Sequence, residues 1–242
     1  MQNRAMKYDN PAARLLAVLQ AGRNIPDGHS CRDTWASLLE AEGDEVLLMS
    51  RLSKLMALVS EAVQSLKEIS PDQDDDSWRH WATTVNNAFM VQNMHGHWQS
   101  FNGSIDNHTL TYLGLSARLL HQHEKNKVAT ADEITQIRSN LLSLLNETLE
   151  SECDLTVKTY LVKSFRKIIA ALDDYKLTGA DGILEEIEVT VGRALRDAPY
   201  RHFLFKTDLG QKIRDTLSTA ANIATIGPTV PLIANAVVQS LT

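Results

Sequence analysis

Six of the eight histidines fall between residues 80 and 123: His80, His95, His97, His108, His121 and His123. Imidazole exchanges a proton near neutral pH, and its neutral form is a metal ligand. Two H-x-H pairs stand out, His95 with His97 and His121 with His123. Zinc bound by such pairs normally completes its tetrahedron with cysteines or carboxylates. The chain has two cysteines, Cys31 and Cys153, far apart in sequence, and no H-E-x-x-H motif. No metal and no cofactor are therefore expected; His95, His97, His121 and His123 are the positions a metal would use. Asp72, Asp74 and Asp76 alternate like the start of a calcium loop. Ser77 stands where that loop turns on glycine and Thr83 where it needs a bidentate glutamate, so the segment reads as an acidic linker.

A second set of residues could act on a phosphodiester. Arg118 and His123 are spaced as Arg-x4-His, and Arg23, Asn24 and His29 as Arg-Asn-x4-His. These spacings resemble the motif of HEPN-type helical ribonucleases, and the resemblance covers only these few residues. It implies an Arg and a His from each of two subunits meeting at one phosphodiester. There His would move a proton and Arg would steady the developing charge. On that reading Arg118, His123, Arg23 and His29 are the candidate catalytic residues. The first match has Leu119 where the family's motif usually has a polar residue, and the second runs across a Pro-Gly loop. No phosphate-binding glycine loop, dinucleotide fingerprint or nucleophile elbow is present.

The elements that must position these groups read as helices almost throughout, with no alternating strand and no Asn-Gly hairpin. Asn10 before Pro11 marks a helix start, with its end near Gly22. Ser30, Asp154 and Thr207 are further N-cap signals; Thr130 with Glu133 makes a capping box, and Thr178 with Asp181 a lesser one. Leu48, Leu52, Leu55, Val59, Ala62, Leu66 and Ile69 alternate steps of four and three, which predicts one stripe packed on a partner helix. Met49, Met56 and Val63 are expected to widen that stripe into a bundle core. Ile134, Ile137, Leu141, Leu144 and Leu145 line one later face. Leu161, Phe165, Ile168, Leu172 and Tyr175 line the next, and Ile183, Ile187, Val191 and Leu195 a third. Lys158, Lys163, Arg166 and Lys167 are expected to face Glu185, Glu186 and Glu188. The least helical stretch, residues 95–107, carries His95, His97, Trp98 and Phe101, read as an exposed binding loop.

The expected fold is all-α: a bundle of about eight to ten helices with a Pro/Gly-broken apolar C-terminal helical hairpin. The expected divisions are an N-terminal helical pair (1–43), a central bundle (44–215) and an uncharged tail (216–242) packed on the body. Residues 216–242 contain no Lys, Arg, Asp or Glu, although 22% charged residues would place about six in 27. Gly227, Pro228 and Pro231 cut the tail into pieces too short to cross a bilayer, since about 20 apolar residues are needed. Ile223, Ile226, Pro228, Val230, Leu232 and Val237 are its candidate contacts with a membrane or a partner. Basic residues just upstream, between Arg193 and Arg214, would suit an anionic lipid surface.

A net charge of −6 argues against non-specific nucleic-acid binding. No DNA is expected as a partner, and RNA only on the nuclease reading. The first eleven residues have no apolar signal-peptide core, so a cytoplasmic location is expected, with a place at the inner membrane as an option. The favoured function is a non-catalytic helical interaction or regulatory protein that associates with itself or another protein. The alternatives are a membrane-perturbing effector of toxin or abortive-defence type and a HEPN-like ribonuclease.

Overall fold

The computed structural model describes residues 7–71, 76–123 and 127–224. Among these residues the chain forms eleven α-helices and no strand. In order they are α1 (Pro11–Arg23), α2 (Cys31–Leu38), α3 (Glu45–Ile69), α4 (Asp76–Val91), α5 (Gln99–Asn102), α6 (Asn107–His123), α7 (Ala131–Glu150), α8 (Leu155–Asp173), α9 (Tyr175–Gly192), α10 (Ala198–Lys206) and α11 (Asp208–Ala224). A 3-10 turn, Arg193–Leu195, follows α9. The number exceeds the expected eight to ten partly because α5 is a single turn inside the stretch read as a loop. The expected C-terminal hairpin lies outside the described residues.

Most helix starts follow their capping residues. Asn10 Oδ1 accepts from the Ala13 N–H at 2.9 Å, and its amide donates to the Ala117 carbonyl of α6 at 3.0 Å. Asp154 caps α8 by accepting from Thr156 and Val157, and Thr207 Oγ accepts from the Gly210 N–H. At α7 both halves of the Thr130–Glu133 capping box form. Thr178 behaves differently. Gly179, at φ 64° and ψ −159°, breaks α9, and the Thr178 hydroxyl donates back to the Asp174 carbonyl instead of capping the next turn. A positive φ of this kind is accessible to glycine without a Cβ clash.

The described chain forms two compact units that divide between residues 125 and 126. The division falls within 44–215, and α1 and α2 lie in the same unit as α3 to α6. In the first unit α1 packs against α3 and α6, and α4 packs against both of these as well. Leu48, Leu52, Leu55, Val59, Ala62 and Leu66 form the buried stripe of α3, joined by Leu58 and the aliphatic stem of Arg51. Arg51 Nη1 donates to the carbonyls of Leu39 and Glu40, which fixes the turn after α2. Arg14 and Asp9 form a buried ion pair at 2.5 Å. In the second unit α8 packs between α7 and α9, and α11 covers α7, α9 and α10. Its core is Ile137, Leu141, Leu161, Phe165, Ile168, Ile183 and Ile187, closed by Tyr200 and Leu217. Leu195, expected on the buried face, is exposed, because the chain leaves α-helical geometry at Arg193 and the stripe's phase is lost.

Candidate functional site

The segment 95–107 corrects the sequence reading most sharply. Trp98 and Phe101, expected to face solvent, are each only 1% exposed. They complete an aromatic cluster with Trp35 of α2 and Phe89 of α4. Trp35 meets Trp98 edge-on at 4.9 Å and Phe101 at 4.7 Å, and Phe101 lies 5.0 Å from Phe89. Edge-to-face and tilted packing of this kind suits the ring quadrupoles. The Trp98 indole N–H donates to the Gly22 carbonyl at the end of α1, at 3.0 Å. The backbone is tied to the α1–α2 loop as well: Trp98 N–H to His29 carbonyl, Gln99 N–H to Asp27 carbonyl, and Cys31 N–H to Gly96 carbonyl. What reads as a loop is a plug held by hydrogen bonds to a second loop, and its aromatic content serves the core. His95 and His97 stay on the surface, with His97 Nδ1 3.0 Å from the Gly28 carbonyl.

The nuclease candidates lie apart in character. Arg118 and His123 are both exposed on α6. A five-residue step on a continuous helix turns about 140°, so their side chains leave the helix in different directions. Arg23 ends α1 and donates through Nη1 to the Asn102 carbonyl at 3.2 Å, while His29 is exposed in the following loop. His121 stacks on Tyr8 with ring centroids 4.2 Å apart, and its Nδ1 is buried without a hydrogen-bond partner among the described residues. It therefore packs away from its neighbour His123. Among the described residues no three His, Cys, Asp or Glu side chains meet in a group that could hold a metal ion.

One grouping was not read from the sequence. His80 of α4 and His108 of α6 flank the exposed Tyr112 ring, at 5.8 and 6.5 Å, and His80 Nε2 lies 3.8 Å from Asp106 Oδ1. Asp106 sits at the start of α6, where the Thr109 N–H donates to its carboxylate at 2.6 Å. That bond, then the two imidazoles, hold its pKa below the ordinary carboxylate value. The signal available in sequence was Asp106 with Thr109, an N-cap pattern at the start of a helix.

The cations before the tail are mostly engaged within the second unit. Arg193 pairs with Asp197 at 2.7 Å and lies over the Tyr160 ring. Arg201 and Arg214 donate to the carbonyls of Ala194 and Leu204, and Lys212 pairs with Glu147 at 2.7 Å. These are helix-end and ion-pair roles. Ile223 lies in the last turn of α11; Ile226, Pro228, Val230, Leu232 and Val237 lie outside the described residues. No described helix is long and apolar enough to cross a membrane.

The outer side of α3 is a different kind of surface. Met49 and Met56, expected in the core, are 52% and 42% exposed, because the buried arc centres on Leu48, Leu55 and Leu66. Between Glu45 and Glu61 the exposed positions are Val46, Met49, Ser50, Ser53, Met56 and Ser60, and none is charged. Ser53 and Ser60 turn their hydroxyls back onto the carbonyls of Ser50 and Ala57, at 2.7 and 2.9 Å. Their donors are already satisfied inside the helix.

The chain matches no family model, no curated protein and no solved structure.

Proposed function

We propose that the protein is a non-catalytic helical interaction protein that associates with itself through the outer face of α3. The observation that carries this reading is the uncharged exposed run from Val46 to Ser60 on a four-turn stretch. Solvent-facing helix positions ordinarily carry charged and polar groups, which keep the opposite face of an amphipathic helix wet. Here the run presents Val46, Met49 and Met56 beside small serines. Methionine adapts to irregular partners, and small side chains allow two helices to approach closely. Burying serines whose hydroxyls are already bonded within the helix avoids much of the cost of desolvating a polar group. A two-fold interface uses one patch twice, so an antiparallel pair of α3 helices centred on this run would set Met49 of each copy against Met56 of the other.

Sedimentation of the full chain across a concentration series tests this. The wild type should shift towards a dimer as concentration rises. Met49→Glu combined with Met56→Glu should weaken association at least about tenfold, or roughly 1.4 kcal/mol. The helical circular dichroism should stay unchanged, since both side chains face solvent in the single chain. A wild type that sediments as one copy at every concentration refutes the reading.

A further inference from the structure

The outer face of α8 carries a feature of another chemistry. With the C-terminal end of α7 it forms an open trough of about 590 Å³. Its apolar lining is Leu149, Leu155, Val162 and Ala170, and its cations are Lys158, Lys163, Arg166 and Lys167. Leu155 is 75% exposed and Leu149 46% exposed, so both rims of the trough offer apolar surface. Two of the cations are engaged. Lys158 Nζ donates to the Leu149 carbonyl at the end of α7, and Lys167 pairs with Glu186 at 3.1 Å. Lys163 and Arg166, expected to face the carboxylates of α9, have no ion-pair partner among the described residues. The reason is geometric: α9 lies on the side of α8 that buries Leu161, Phe165 and Ile168, and of the four cations Lys167 is the one whose bond to Glu186 closes.

We propose that this trough binds an acidic amphipathic helix of a partner protein. Charge complementarity selects the occupant: Lys163 and Arg166 would meet carboxylates flanking the partner's apolar stripe, while that stripe lies along Leu149, Leu155 and Val162. The span from Leu155 to Ala170 is about 22 Å, which matches a partner helix of about sixteen residues. A nucleic-acid strand fits less well, because the lining holds no aromatic ring on which bases could stack. The inference stands apart from the α3 reading, since α8 belongs to the other unit and its test does not depend on self-association.

The test uses the full chain as bait against a display library of about sixteen-residue helices, with a leucine stripe held fixed and the flanking positions varied among acidic, basic and neutral residues. Acidic flanks should be enriched, and a selected peptide should bind Lys163→Glu/Arg166→Glu at least tenfold more weakly than wild type. Val162→Asp should give a similar loss. Lys163 and Arg166 are exposed, whereas Val162 is half-buried, so the helical spectrum of each variant serves as the folding control. Binding should also weaken as salt rises, as for an interface steered by charge. Selection without acidic preference, or equal binding to the charge-reversed chain, overturns the proposal. So does a selection that yields no peptide while phosphatidylserine vesicles carry the wild type but not Lys163→Glu/Arg166→Glu in flotation, which would assign the face to a membrane.

Discussion

Trp98 shows how much one side chain can decide. It packs edge-on to Trp35, stacks near Phe101, and donates its indole N–H to the Gly22 carbonyl. The ring also limits what Gly22 can become: a Cβ there would lie 2.8 Å from Trp98 Cζ2 and 3.4 Å from Leu38 Cδ1. Gly22→Ala ordinarily favours a helix, by up to about 1 kcal/mol at an exposed interior position. Here the overpacking should win, and the variant should lose about 1–3 kcal/mol of stability in a urea titration followed by tryptophan emission. A neutral or stabilised Gly22→Ala would mean that the indole can shift at little cost. Buried Cys31 belongs to the same neighbourhood. Desolvation pushes its thiol pKa up, against bonds from Ser100 and Trp35, so it behaves as a small apolar core residue.

At the scale of an element, α7 shows how a short motif fixes a helix and makes it sensitive to acid. Glu133 accepts from Lys127 Nζ at 2.6 Å, from the Thr130 N–H at 2.8 Å and from the Thr130 hydroxyl at 3.0 Å. The bond from Lys127, followed by those from Thr130, brings its pKa down to about 2. Because the folded value lies below the ordinary carboxylate value, the ionised box adds stability above about pH 4.5 and loses it as pH falls towards 2. Glu133→Gln removes that dependence. The gap in urea midpoint between wild type and Glu133→Gln should therefore be wider at about pH 6 than at about pH 3. A gap that is constant across that range would show that the box does not titrate with folding. The effect will be modest, since the group is solvent-accessible and water screens its pairs.

At the scale of the molecule, the two units carry separate cores and very different chromophores. All four tryptophans, Trp35, Trp78, Trp81 and Trp98, lie in the first unit and are buried. The second unit has Tyr160, Tyr175 and Tyr200 but no tryptophan. Tryptophan emission therefore reports the first unit, while far-ultraviolet dichroism reports the helices of both. Denaturant curves from these two probes should not superimpose, the usual sign that more than one cooperative transition is present. Coincident curves with a single midpoint would show that the units unfold together.

The sequence by itself determined the all-helical class, the buried stripe of α3 and the starts of α1, α2, α7, α8 and α11. These depend on local physics: a cap oxygen within three residues of its N–H, or apolar side chains repeating with the helical period. Only the tertiary structure decided which face of a residue without such a pattern meets solvent. Met49 and Met56 are as apolar as their buried neighbours, and the packing of α1 and α4 on α3 leaves them outside. Trp98 and Phe101 sit in a glycine-punctuated stretch that has no period to read. Their burial follows from backbone bonds to Asp27 and His29, about seventy residues earlier in the chain. The spacing of Arg118 and His123 likewise carried no orientation until α6 continued without a break through both. Local rules set the elements; contacts between residues distant in sequence chose which surfaces remain available for binding.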